Sequence, residues 1–409
     1  MPGPLDGIRI LDLTTVGFGP YAVQILGDYG ADVVKVEAPE GDITRGIAPM
    51  RNPGMGHFLL NANRNKRCLA LDLKQPAARD ALLKLVETAD AIVSSIRPAA
   101  MARLGLGYED CRARNPKLVY VALVGFGQDG PYARRPAYDD IIQGLSGMAA
   151  MQGGRSGPPR YINASICDKI GSQFAAHATI AALFARERTG KGQMVEVPML
   201  ESLIGFNLVE HLAGQTFEPP LGEAGYERSM AEFRRPYETA DGHVCVMPYN
   251  VKQWRAFFRL MDRAEMLDDP RVVDGPTRSL KIGELYEMIA DCVRTWATAD
   301  LLQALDAADI PNGRAMPLGE LETDPHVAAV GLFQEVEHPT EGPIRMVRPG
   351  VRFSETPAEI RRLPAALGAD TVAILREAGL APDAIEAMLR SGAAIDGAAG
   401  PSATRSAAE

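Results

Sequence analysis

Cysteine is scarce and poorly spaced for either cross-links or metal. The five cysteines, Cys68, Cys111, Cys167, Cys245 and Cys292, are odd in number, scattered and without a C-x-x-C pair. Neither a disulfide framework nor a zinc site is expected, and the thiols read as structural or incidental. Long hydrophobic runs are missing too. None approaches the roughly 18 apolar residues of a membrane span, and the opening "MPGPLDGIRILDL" lacks a basic stretch followed by an apolar segment. No membrane partner is expected, and a cytoplasmic location is. Basic charge is also not in excess: 43 Lys+Arg against 52 Asp+Glu leave a formal charge of −9. That argues against nucleic acid or an acidic membrane surface as partner, while a local basic pocket can still hold a phosphorylated ligand. No internal repeat is visible.

What is present is an ordinary globular composition, 46% hydrophobic and 23% charged over 409 residues, enough for two or three domains with substantial cores. The first 40 residues read as β-α-β: "IRILDL" is a buried strand, Pro20 to Tyr29 a helix closed by Gly30, and "DVVKVE" a second strand. Between them, "LTTVGFGPYA" places Gly17, Gly19 and Ala22 at a strand-to-helix turn, and Glu37 ends the next strand. Those are the parts of a dinucleotide fingerprint. Pro20 weakens that reading, because proline fits a first helical turn but removes an N–H from a phosphate cradle; the other reading is a tight turn in any doubly wound sheet.

Further runs, "AIVSSI" and "LVYVALVGF", alternate with the helical "ARDALLKLVETAD", as in an open α/β sheet. A long helix is expected from about Asp168 to Arg188, then a strand at "MVEVPML". The polar "GEAGYERSMAEFRRPYE" reads as a linker. The domain expectation is a large domain over 1–220, a small one over 225–330 and a return segment over 331–409, with an Ala/Gly/Ser-rich frayed tail after about 391. By its residues alone, Asp168 reads first as a helix N-cap.

Taken together, "ILDLTTVGFGPYAVQILGDYGADVVKVE", "LNANRNKRCLALDLK", "RLGLGYEDCRARNPKLVYVALVGFGQDGPYARRPAYDDIIQGLSGM", "DKIGSQFAAHATIAALFARERTGKGQMVEV" and "ADTVAILREAGL" resemble the class III CoA-transferase family of the CaiB/BaiF type, over nearly the whole chain. The resemblance implies an α/β fold: a large Rossmann-like domain whose parallel sheet is built from both chain ends, a smaller inserted α+β domain, and an interlocked homodimer. It implies Asp168 in "ICDKIG" as nucleophile. This carboxylate would attack an acyl-CoA thioester to give a mixed anhydride, and CoA thiolate would then give an aspartyl-CoA thioester, the acceptor acid repeating the steps in reverse.

Coenzyme A, as acyl-CoA, and a free carboxylic acid are thus the implied small-molecule partners, with no metal and no NAD. Val16, Gly17 and Phe18 match the ligand-facing turn. Lys35, Leu71, Lys74, Ser95, Ile96 and Arg103 fall where family members contact CoA, Lys74 and Arg103 being suited to its phosphates. Tyr138 and Asp139 match a Tyr–acid pair near the family's active site, and Arg64, Lys66 and Arg67 form a local basic cluster. Gly17 and the scattered Gly222 and Gly225 stand where formyl-CoA transferases have a glutamine and a glycine run, so oxalate/formate specificity is not expected. Two alternatives remain open here: a 2-methylacyl-CoA racemase, whose His–Asp pair is replaced by Tyr138-Asp139, and a non-catalytic CoA-binding activator of a dehydratase.

Overall fold

The apolar runs pair as strands in the computed structural model, which describes residues 2–155 and 157–398. Strands β1 (Arg9–Leu13), β2 (Asp32–Glu37), β3 (Lys66–Leu71), β4 (Ala91–Ser94), β5 (Val119–Val124) and β6 (Met194–Pro198) are parallel, in the order β3-β2-β1-β4-β5-β6. Every residue of β5 is buried. Strands covered on both faces read as continuous apolar runs, which is why this part of the fold is visible in the sequence. The order reverses between β1 and β4. In sheets of this kind the crevice beyond the carboxyl ends of the strands at that reversal is where ligands bind.

By contacts the chain forms two compact units. One comprises residues up to 146, 163–204 and those from 328 onward; the other comprises 147–162 and 205–327. The second unit has its own core, where Trp254 stacks on Phe258 with Val244, Ile289 and Leu301 nearby. It also has a small antiparallel sheet of β7 (Tyr237–Glu238), β8 (His243–Val246) and β9 (Asn312–Arg314). It starts earlier than the polar linker suggests and takes in 147–162, because membership is decided by contacts that composition does not record.

In the first unit the return segment forms the hairpin β10 (Phe333–His338) and β11 (Gly342–Val347), then the helices Thr371–Glu377 and Pro382–Ser391. The frayed tail expected after about 391 does not start there. A final strand, β12 (Ala394–Ile395), pairs antiparallel with β3 through Ala394–Leu71 and Ile395–Ala70, and Ala393 and Ala394 are buried. Small residues that look like a flexible tail are here buried at the edge of the sheet. The rest of the expected tail, 399–409, lies outside the described residues.

Two helices carry the site. Phe18–Asp28 follows β1, and Ile166–Thr189 packs against it. Gly171 permits the approach, since a Cβ there would lie 2.9 Å from the Phe18 ring. Ser172 Oγ donates to the Phe18 carbonyl at 2.6 Å. Among the described residues no helix is long and apolar enough to cross a membrane, and no group of three or more His, Cys, Asp or Glu is arranged to hold a metal ion.

Candidate active site

A cavity of about 260 Å³ opens where the strand order reverses. Its walls are residues 15–18 after β1, Ser95, Arg97 and Pro98 after β4, residues 123–125 at the end of β5, and Tyr138, Asp168 and Met199. The turn after β1 starts a helix. The amides of Gly17, Phe18 and Gly19 therefore have no acceptor within the helix, and Pro20 has no N–H to offer.

Asp168 is the third residue of its helix, which begins at Ile166, with Ser165 at the N-cap position making no side-chain cap bond. The cap comes from elsewhere: Asp139 Oδ1 accepts the Asp168 N–H at 2.9 Å. Asp139 is held in turn by Gln143 Nε2, 2.7 Å from its Oδ2. The N-cap reading of Asp168 is thereby overturned. Its carboxylate makes no hydrogen bond or ion pair among the described residues. It lies against the turn, where a Cβ on Gly17 would stand 2.5 Å from Asp168 Oδ2.

A helix N-terminus favours a carboxylate by about 0.3–1 kcal/mol, less than one pKa unit. Burial acts more strongly, and the negative Asp139 adds to it, so the Asp168 carboxyl is pushed up to about 7. The anionic bias that a helix start implies is thus reversed by the surroundings. A nucleophilic role requires the ionised form, so kcat/KM for acyl-CoA should rise with pH through a midpoint near 7. Asp139→Asn keeps an oxygen for the Asp168 N–H but removes the charge, and should move that midpoint down by roughly half to one unit. A wild-type limb centred near 4 would contradict the assignment. The adjacent Cys167 thiol is pushed up to about 12 by burial and the nearby Asp139, Asp168 and Asp140, so it is inert at neutral pH.

Of the residues expected at the site, the structure brings Val16, Gly17, Phe18, Ser95, Tyr138 and Asp168 together around the cavity. Asp139 sits just behind, bonded to the Asp168 backbone. Tyr138 is 68% exposed at the rim. Ser95 Oγ accepts the Thr15 N–H at 3.1 Å.

Others lie apart from the cavity. Leu71 is buried in the hydrophobic core and Ile96 packs against that core. Lys35 Nζ is enclosed, donating to the Thr14 carbonyl at 3.0 Å and to Asp42 Oδ2 at 3.1 Å. Lys74, just past β3, and Arg103, at the end of the helix Pro98–Arg103, are exposed. Glu37, the fingerprint acid, is held by Arg45 at 2.6 and 2.8 Å and by the Asp42 N–H at 2.7 Å. These partners hold its carboxyl down at about 2.

The basic cluster is not an open patch. Arg64 pairs with Asp28, Lys66 with Asp12, and Arg67 with Asp32 and Glu377. Three lining groups escaped the sequence reading: Arg97, Gln128 and Arg135. Arg97 immediately follows the β4 run at the strand-order reversal, a position that flags it once the strand order is known. Arg135 stacks over the Tyr132 ring at 3.9 Å, and neither arginine forms an ion pair among the described residues. Among the described residues no histidine lines the cavity.

A mainly parallel α/β sheet thus carries, beyond the ends of its strands, a carboxylate and two arginines that form no ion pair among the described residues, a site suited to an anionic ligand. The chain belongs to CoA-transferase family III, whose model matches residues 5–371, and it is a CoA-transferase. The succinate–glutarate CoA-transferase of Agrobacterium fabrum is 33% identical over 388 residues, covering 91% of this chain and 95% of that protein. A formyl-CoA:oxalate CoA-transferase of Streptomyces avermitilis is 31% identical over 384 residues, covering 89% and 93%. A crystal structure of a CaiB/BaiF family protein from Brucella suis matches with a TM-score of 0.78 at 27% identity, over 92% of this chain and all of that one.

Proposed function

We propose that the protein moves CoA from an acyl-CoA thioester to a free carboxylic acid, with Asp168 as the nucleophile. The carboxylate oxygen attacks the thioester carbonyl and CoA thiolate leaves, giving an acyl aspartyl anhydride. The thiolate then attacks the aspartyl carbonyl, releasing the donor acid and leaving an aspartyl-CoA thioester. The acceptor acid reverses the two steps. No water enters, so the thioester energy is retained and no ATP is needed.

The observation that carries this reading is the Asp168 carboxylate itself. It is unpaired, held near neutrality in its pKa, and relieved of capping by Asp139. Arg97 and Arg135 suit the negative charge of either substrate. Lys74 and Arg103, both exposed, are assigned to the CoA phosphates, with Val16, Gly17 and Phe18 against the reactive end. A homodimer fits the exposed apolar side chains of Phe206, Val209, Phe217 and Leu221.

The test is a screen of acyl-CoA donors against mono- and dicarboxylic acids, read by mass spectrometry. A new thioester should form only when an acid is supplied, and enzyme incubated with acyl-CoA alone should carry a hydroxylamine-labile adduct on the Asp168 peptide. Exchange of the α-proton without acid, and no transfer, would turn the reading toward racemisation.

A further inference from the structure

The turn beneath Asp168 contains a backbone conformation that its residue type resists. Val16 has φ 69°, in the left-handed region where a β-branched side chain is a true outlier. Such a conformation persists only when the surroundings hold it there, and here Thr14, Thr15 and Val16 are held by side chains from β1, from β2 and from the loops after β2 and β4. Asp12 Oδ1 accepts the Thr14 N–H at 3.0 Å, and Lys35 Nζ donates to the Thr14 carbonyl at 3.0 Å. Ser95 Oγ accepts the Thr15 N–H at 3.1 Å, and Asp42 Oδ1 accepts the Val16 N–H at 3.3 Å.

Asp42 is the hub of this arrangement. Its side chain is fully buried, its Oδ2 takes the Lys35 ammonium at 3.1 Å, and the Lys35 side chain is only 2% exposed. Its Oδ1 also accepts the Thr44 N–H and hydroxyl at 3.0 and 2.9 Å. Its own N–H is bound by Glu37 Oε2 at 2.7 Å, and Glu37 is gripped by Arg45. A buried ion pair of this kind is a weak source of net stability, so its value lies in the geometry it enforces.

We infer that Asp42, with Lys35, is a positioning residue of the transfer reaction. The pair holds Val16 left-handed so that the Gly17 backbone lies directly under the Asp168 carboxylate. Lys35 then acts on the turn rather than on the ligand. This inference rests on Asp168 being the nucleophile, which the Asp168→Asn variant tests separately.

Asp42→Asn keeps the shape and an acceptor oxygen but removes the charge that holds Lys35. The folded variant should lose about ten-fold or more in kcat, because small displacements of reacting groups carry penalties of that order. Its KM for acyl-CoA should stay within about three-fold. The acid limb of its pH profile should also move to lower pH, as a relaxed turn lets water reach Asp168. A variant that melts earlier but keeps the wild-type kcat and pH midpoint would overturn the proposal, reducing Asp42 to a structural residue. Should the variant fail to fold, hydrogen exchange in the substrate-free wild-type enzyme decides. Val16 and Thr15 amides as protected as those of β1 support a turn set in advance, and exchange at free-chain rates overturns it.

Discussion

Asp168→Asn should abolish CoA transfer, by at least about a thousand-fold, while the protein folds normally. An amide cannot accept the acyl group, and the helix does not depend on this side chain for its cap, which Asp139 supplies. The variant should also be more stable than wild type at pH 8. In the folded protein the carboxyl holds its proton up to about 7, whereas in the unfolded chain it loses it near the ordinary aspartate value. Between those values the folded state binds the extra proton, so stability falls as pH rises through the window. By pH 8 the full penalty is present, a few kcal/mol at about 1.4 per pKa unit, and asparagine escapes it. Activity and melting temperature measured on the same preparation check both parts. Near-normal transfer by a folded Asp168→Asn would end the proposed mechanism.

Gly17→Ala should come next in severity. The added methyl would stand 2.5 Å from Asp168 Oδ2 and 3.2 Å from its carboxyl carbon, closer than nonbonded atoms tolerate. The backbone at Gly17 is right-handed, φ −113° and ψ −55°, so alanine suits the turn itself and the clash falls on the carboxylate. Displacing it by about 1 Å should lower kcat by roughly a hundred-fold. The melting temperature should change far less than in Gly19→Ala, whose methyl would meet Thr14 Cβ at 2.2 Å. Wild-type kcat in Gly17→Ala would mean that the carboxylate works from another position.

The parts of the molecule written locally in the sequence are the parts that could be read there. β1, β2, β4, β5 and β6 show as apolar-rich runs, while the charged start of β3 hid it as a strand, and Asp168, singled out by the motif around it, lines the cavity. What escaped was set by partners distant in the chain. The long helix begins at Ile166, two residues before the expected start, and its cap comes from Asp139. Lys35 resembles a ligand contact until Asp42 and Thr14 enclose it. The cluster at Arg64, Lys66 and Arg67 is neutralised by Asp28, Asp12 and Asp32, the first pair 36 residues apart and the second 54. Charge counts carry no record of such pairings, and Arg97 and Arg135 gain meaning only when the strand order shows which loops face one another.

The short strand β12 matters beyond its two residues. Asp370 and Thr371 already bond the β3 border at Cys68 and at the Ala70 N–H, but without β12 its end at Ala70 and Leu71 would lack a neighbouring strand, and a bare strand border is where copies of a chain stack into aggregates. Ala394 and Ile395 run antiparallel along that end and cover it. A truncation ending at Ser391 would keep every residue that lines the candidate cavity and yet bare the margin at Ala70 and Leu71, so its failure should show as turbidity and loss of soluble yield rather than as a slower enzyme.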